Sequence, residues 1–469
     1  MPSHGGARVS KPRGAIIIPS LVLTLVVALG IFLWSRGELN DLICDGDCGP
    51  ANVIPPRSLT TDTLPADPAP GLPAPGDIDP AKLRAAVAPT LDAAVLGPRV
   101  GFSAVAPPTG TELMSSGPGA YVPASTTKVL TSFAALSLID PQTRYATRVV
   151  GSGDQVVLVG GGDPYLAVKR KKTHDGVVRA DLTTLAKRTA TALKRVGTDS
   201  VNLGFDASLF TGPDASPGWE PSYVSQNIVT PVSALWADQG EQGGIRARDP
   251  AASAARTFAG LLEDRGITVT GEPEPAKVPG DAPAIAVVRG ATVARIVETL
   301  LRVSDNQAAE VMLRHLAIAA GKPATFDGGV EAVTDVLDAA DIDIEGLVLA
   351  DGSGLSRRNR IAPLTLAQTV NVAASTPRTS GLAADLPVSG FTGTLVDRFA
   401  KLTASRGMVR AKTGTLTGIH SLAGYALDAE GRPVVFAVMA DRTSTAAPVE
   451  AQAALDRVAA AIAACTCGA

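Results

Sequence analysis

The stretch YVPASTTKVLTSFAALSLI, residues 121–139, is where the reading of this chain starts. A Pro-Ala turn precedes Ser125, and apolar residues then recur at Val129, Leu130, Phe133, Leu136 and Leu138. That spacing predicts a buried helix starting near Ser125. Residues three apart share a helix face, which sets Lys128 beside Ser125. A serine hydroxyl stays inert until a neighbouring base takes its proton. Lysine can do this only when neutral, and its ordinary pKa of about 10.4 forbids that near pH 7. Burial and a second nearby cation would lower it. The start of a helix also favours the developing alkoxide. Read alone, the segment fits an N-capping serine and a solvated lysine better.

Two further motifs change the balance. Ser304-Asp305-Asn306 lies between TVARIVETLLRV and NQAAEVMLRHLAIAA, both helical in pattern, so it should occupy the bend between two helices. By itself it is an ordinary helix-linking sequence. Within a site, the Ser304 hydroxyl can relay protons between Lys128 and a leaving amine, and Asn306 can donate its amide to a peptide carbonyl. Lys412-Thr413-Gly414 lies in GMVRAKTGTLTG, ahead of HSLAGYALDAEGRPVVFAVMADR, which reads as two strands joined by a turn. The motif strand should pair beside that hairpin and form a sheet edge facing the Ser125 helix. Lys412 is then the second cation for Lys128. Lys412 and Thr415 can grip a carboxylate, and Gly414 keeps the edge open for substrate. The backbone N–H groups of Ser125 and Thr415 are the candidates for an oxyanion hole.

S-x-x-K, S-D-N and K-T-G in this order are shared by class A β-lactamases and penicillin-binding proteins. Further stretches narrow the likeness: Gly162-Asp163-Pro164, Ala308-Ala309-Glu310 after the second motif, Asp351-Gly352-Ser353-Gly354-Leu355-Ser356, and RAKTGTLTG followed by SLAGY. Over roughly residues 80–460 the chain resembles the class C low-molecular-mass penicillin-binding proteins, the D-alanyl-D-alanine carboxypeptidase/endopeptidases of bacterial walls. The resemblance implies an acylated Ser125, Lys128 as its base and Ser304 as proton relay. It makes Asn306, Lys412, Thr413, Gly414 and Thr415 the substrate contacts. The implied substrate is a peptidoglycan peptide ending in D-Ala-D-Ala, with wall crosslinks as a second substrate and β-lactam antibiotics as inhibitors. No metal or organic cofactor is implied. The implied fold is α/β (α+β): a transpeptidase domain like that of serine β-lactamases, with an antiparallel sheet flanked by helices and an all-helical subdomain.

Spacing separates this from a class A lactamase, because Ser304 comes 176 positions after Lys128. Residues 150–285 read as an inserted mixed α/β domain, with strand patterns near 146–159, 201–206 and 267–270 and helical patterns near 181–196 and 251–265. Residues 81–149 and 286–469 then form the peptidase domain. Larger relatives carry two inserted domains, and this chain has room for about one. A β-lactamase of the same fold and a non-catalytic wall-binding protein are the alternatives.

The 469 residues are 45% apolar and 19% charged, with net charge −3 and 4% aromatic residues, which gives no basis for nucleic-acid binding. Residues 1–14 carry Arg8, Lys11 and Arg13, and Ala15–Trp34 is an uncharged apolar run long enough to span a bilayer. An uncleaved signal anchor fits better than a cleaved signal peptide, since no small-residue cleavage site follows. This predicts a single-pass protein of the bacterial cell membrane with its catalytic domain outside. Residues 35–80 are Pro-rich and read as an extended linker. Lys169–Lys172 is a basic patch that reads as a solvated loop. Cys44, Cys48, Cys465 and Cys467 are free to oxidise outside the cell, with three pairings open.

Overall fold

The computed structural model describes residues 76–170, 177–278 and 282–469. The chain enters on helix α1 (Pro80–Leu91), where the Asp79 side chain caps the Ala81 and Lys82 N–H groups and Leu83, Val87 and Leu91 form one buried stripe. It continues through β1 (Val100–Ala106) and β2 (Thr111–Ser116) to α2 (Thr127–Leu138). A second layer follows with β3 (Arg144–Ser152), β4 (Gln155–Val159), α3 (Leu182–Arg195), β5 (Ser200–Asp206), the short hairpin β6 (Glu241–Gln242) and β7 (Ile245–Arg246), α4 (Pro250–Glu263), β8 (Thr268–Val269), β9 (Glu274–Pro275) and β10 (Ala284–Thr292). Helices α5 (Val293–Val303), α6 (Asn306–Ala319), α7 (Phe326–Ala339) and α8 (Pro363–Ser375) come next. The chain closes on β11 (Val409–Leu416), β12 (Ile419–Leu427), β13 (Pro433–Ala440) and α9 (Pro448–Ala464).

The principal sheet is antiparallel throughout, in the order β11-β12-β13-β1-β2. Strand β13 is buried along its whole length, and its side chains alternate between two cores. Val434, Phe436 and Val438 join the core beneath α1 and α9, whereas Val435, Ala437 and Met439 join the core shared with α2 and the later helices. A strand covered on both faces needs no polar alternation, which is why PVVFAVMA is an unbroken apolar run. Strand β11 lies at the sheet edge, as the motif spacing predicts.

The second sheet is mixed, with β10-β3-β4 antiparallel and β4-β5-β8 parallel. Val149, Leu158, Leu203 and Phe205 pack there against α3 and α4. Its strands β3 and β10 reach back to Arg144 and forward to Thr292, beyond both ends of the 150–285 segment. The expected fold class holds, and the expected helix and strand patterns in this region fall on α3, α4, β3, β4, β5 and β8 to within two residues.

Among the described residues no helix is long and apolar enough to cross a membrane. The 15–34 span, Cys44 and Cys48 lie outside the described residues, as does the linker up to residue 75 and the Lys171-Lys172 half of the basic patch. Cys465 and Cys467 are bonded to each other.

Candidate active site

Ser125 sits on a single 3-10 turn, Ala124–Thr126, and α2 begins two residues later than Ser125. The turn is tight: Ala124 has φ 50°, a left-handed conformation that costs an ordinary residue about 1–3 kcal/mol. Its neighbours hold it there. Thr127 Oγ1 donates to Ala124 O at 2.9 Å, Thr126 Oγ1 donates to Pro123 O at 2.7 Å, and Ser421 Oγ of β12 donates to Pro123 O at 2.5 Å. Downstream, Val129, Leu130, Phe133 and Leu136 are buried as their spacing predicts, while Leu138 is 37% exposed because the helix ends there at the surface.

Lys128 is fully buried one helical turn on. Its Nζ lies 3.0 Å from Ser125 Oγ and donates to Asn306 Oδ1 at 2.7 Å and Ser353 O at 2.6 Å. Burial pushes the Lys128 ammonium down to about 8, although the Glu310, Asp351 and Asp305 carboxylates pull it upward. Sequence reasoning expected the downward direction but credited Lys412 with part of it; the lowering comes from desolvation.

Lys412, on β11, is also fully buried. Its Nζ donates to Ser304 Oγ and to Thr413 O, both at 2.8 Å. Burial, with Lys128 as the nearby like charge, holds it well below the ordinary lysine range. The Ser304 hydroxyl is thus anchored on Lys412, where the sequence suggested a link to Lys128. Lys412 faces Ser304 from inside the protein, and the hydroxyl groups at the surface of the site belong to Ser125, Ser304, Thr413, Thr415 and Thr394.

The second motif takes its shape from two caps. Ser304 closes α5 in the left-handed region, φ 61°, and Asp305 caps α6 by accepting from Ala308 N at 3.0 Å. Asp305 Oδ2 also accepts from Gln239 Nε2 at 2.7 Å, which ties the bend to the loop before β6. Asn306 is therefore the first residue of α6 and reaches back to Lys128.

Gly414 has a different reason from the one its sequence suggests. A Cβ there would lie 2.1 Å from Ser421 Oγ, 2.5 Å from Pro123 O and 3.1 Å from Ser125 N. Any side chain would drive the turn that carries Ser125 off the strand. The glycine lets β11 lie against that turn, so that Thr415 and Ser125 line one cavity of about 280 Å3 together with Ser304, Thr394, Thr413, Arg398 and Gln452.

Several contributors had no assigned role in the sequence. Glu310, buried on α6, accepts from Gly352 N at 3.0 Å and Ser353 N at 2.8 Å, which orients the Ser353 carbonyl that holds Lys128. Burial and Asp351 push Glu310 up to about 8. Asp351 receives four donors: Trp219 Nε1, Ser356 N, Gly354 N and Asn359 Nδ2, at 2.6–2.9 Å. These bonds fix the 351–359 loop under Lys128. Both acids fall in stretches quoted for the resemblance, yet a lone Glu or Asp in a sequence does not disclose a partner 40 residues away. Thr394, which accepts from Thr413 Oγ1 at 2.8 Å, had no signal at all. The two described histidines serve elsewhere: His315 bonds Gly162 O and stacks on Tyr145, and His420 pairs with Thr443.

Residues 83–243 and 240–462 match the D-Ala-D-Ala carboxypeptidase 3 (S13) family. Carboxypeptidase DacB of Mycolicibacterium smegmatis is 33% identical over 97% of each chain. A Mycobacterium tuberculosis carboxypeptidase is 36% identical over 68% of this chain and 71% of its own length. The crystal structure of penicillin binding protein 4 from Haemophilus influenzae superposes with a TM-score of 0.65 at 22% identity, covering 79% of this chain and 94% of that one, which establishes a shared fold. Since the match spans both sheets and all three motifs, and a relative aligns along nearly its whole length, the chain belongs to the D-Ala-D-Ala carboxypeptidase 3 (S13) family.

Proposed function

We propose that the chain is a serine-type D-Ala-D-Ala carboxypeptidase of peptidoglycan stem peptides, with endopeptidase action on D-alanyl crosslinks and sensitivity to penicillin. The observation that carries this reading is Lys128 Nζ, 3.0 Å from Ser125 Oγ in a setting that lowers its pKa to about 8. A neutral amine is then accessible near physiological pH, which is what a general base requires.

Ser125 Oγ attacks the penultimate D-alanyl carbonyl as its proton passes to Lys128. The N–H groups of Ser125 and Thr415 face the oxyanion. Asn306 uses Oδ1 on Lys128, which leaves its Nδ2 amide for the substrate backbone. The hydroxyls of Thr413 and Thr415 take the terminal carboxylate, and Lys412 supplies positive charge from behind. Ser304 gives its proton to the leaving nitrogen and recovers one from Lys412. In deacylation Ser304 and Lys412 take the proton of the attacking water, and Lys128 returns its proton to Ser125. The two buried lysines thereby share one positive charge at the start and end of each half-reaction, in keeping with the cost of burying two. The 150–285 segment as an inserted domain, the 15–34 anchor and the extracytoplasmic location belong to the same reading.

Support for penicillin sensitivity comes from the Haemophilus influenzae protein of this fold, which has been solved with a β-lactam bound. The test is labelling with tagged penicillin, wild type against Ser125→Ala, followed by digestion of a defined muropeptide. Label on the wild type alone and release of D-alanine are expected. Absence of label on the wild type, where a control enzyme is labelled, sinks the catalytic reading; rapid loss of the label would favour a β-lactamase.

A further inference from the structure

The active-site cavity borders a second one. Arg398 and Gln452 line the first, and the same two side chains line a neighbouring cavity of about 600 Å3 between the loop around residues 397–402 and the first turns of α9. The partition is fixed in place. Arg398 Nε and Nη2 donate to the two Asp456 carboxylate oxygens at 3.0 and 2.6 Å, and Nη2 also donates to Gln452 O at 3.0 Å. The volume is in the range of ligand pockets, about 300–1,000 Å3. Its walls carry both signs, Asp397 and Glu450 with Lys401 and Arg457, beside the 71%-exposed Val449.

We infer that this second cavity is the subsite for the leaving strand of a crosslink, a zwitterionic peptide joined through its amine to the D-alanyl carbonyl that Ser125 attacks. The inference rests on the reading that Ser125 acts on D-alanyl amides. Direction follows from the site: the leaving residue's carboxylate meets Thr413 and Thr415, Thr413 is bonded to Thr394, and Thr394 shares its cavity with Arg398 and Gln452. Groups that branch from the carbon bearing that carboxylate therefore run toward Arg398. A departing D-alanine ends at its carboxylate and needs no such space. A crosslink's leaving strand continues into more peptide, with free amine and carboxylate groups to meet walls of both signs. The chemistry is otherwise the same: the Ser125 Oγ–carbonyl bond forms, the carbon–nitrogen bond breaks, the amine departs with the Ser304 proton, and water releases the acyl group.

The test uses the full chain and two variants, Ala453→Trp to fill the cavity and the double variant Lys401→Glu/Arg457→Glu to remove its positive side. Three rates are compared: D-alanine release from a D-Ala-D-Ala pentapeptide, cleavage of a D-alanyl-crosslinked muropeptide dimer, and acylation by penicillin. Dimer kcat/KM should fall about tenfold or more, the scale on which pocket contacts discriminate substrates, while the other two rates stay within twofold. Dimer cleavage unchanged in both variants, or all three rates falling together in both, overturns the inference. So does a wild type that releases D-alanine but leaves the dimer intact. A wild type without penicillin label at Ser125 brings down the underlying catalytic reading as well, and the missing label tells the two failures apart.

Discussion

Replacing Glu310 with Gln should move the acid limb of the acylation rate to lower pH. Glu310 and Lys128 are joined through one residue: the carboxylate accepts from Ser353 N at 2.8 Å, and Ser353 O accepts from Lys128 Nζ at 2.6 Å. With one peptide unit between them, the charges are about 7 Å apart. At an effective dielectric of about 20, two unit charges at that distance interact by about 2.4 kcal/mol, or about 1.7 pKa units. Glu310 is itself pushed up to about 8, so near that pH it is only partly ionised and about half the effect survives. Removing a negative neighbour lowers a lysine's pKa. The limb should therefore shift down by about one unit from the wild-type value near 8, toward a value near 7. The plateau should fall at the same time, because Gln offers one acceptor to two backbone N–H groups, and an unpaired buried N–H costs about 1–3 kcal/mol. The assay is the second-order rate constant for penicillin acylation between about pH 5.5 and 9.5, with urea denaturation to confirm folding. A lower plateau on an unmoved limb would refute the electrostatic link and leave Glu310 a packing residue. The other charges facing Lys128 are Asp305, Asp351 and Lys412, all retained in this variant.

Lys412→Met should bring the acylation rate well below the wild type's in the same assay, since it removes the amine that donates to the Ser304 hydroxyl. Lys128→Met bears on stability. The folded pKa of Lys128, about 8, lies below the unfolded value of about 10.4, so the unfolded chain binds more protons between these pH values and stability rises with pH across that window. Met should flatten the rise by about 2 kcal/mol between pH 8 and pH 10, read as urea midpoints at those two values. Gly414→Ala should destabilise by about 1–3 kcal/mol and abolish most penicillin labelling, because its Cβ would press on Ser421 Oγ and Pro123 O. Adding Ser421→Ala should recover little, since the Pro123 carbonyl stays 2.5 Å away; full recovery would show that the strand and not the turn gives way.

Much of the architecture was legible because it is local. The apolar spacing of α2, the helix patterns on either side of Ser304, and the two apolar runs and intervening turn of β12 and β13 are short-range signals that backbone geometry converts directly into elements. Caps are less legible. Ser304 at φ 61° and the 3-10 turn that carries Ser125 are conformations that neighbours impose, and neither residue type announces them. For Gly414, the sequence says only that a side chain is missing, and the reason came from Pro123 and Ser421 lying against it.

By itself, the sequence determined which groups could do chemistry: a serine three residues before a lysine on one helical face, a second lysine on an edge strand, and a bend supplying a hydroxyl and an amide. Tertiary structure decided what those groups hold. It set Ser304 on Lys412 and Asn306 on Lys128, and placed Glu310 and Asp351 beneath Lys128. The physical reason is that proton affinity and hydrogen-bond partnership depend on burial and on neighbours distant in the chain, whereas the periodicities of helix and strand depend only on residues a few positions apart.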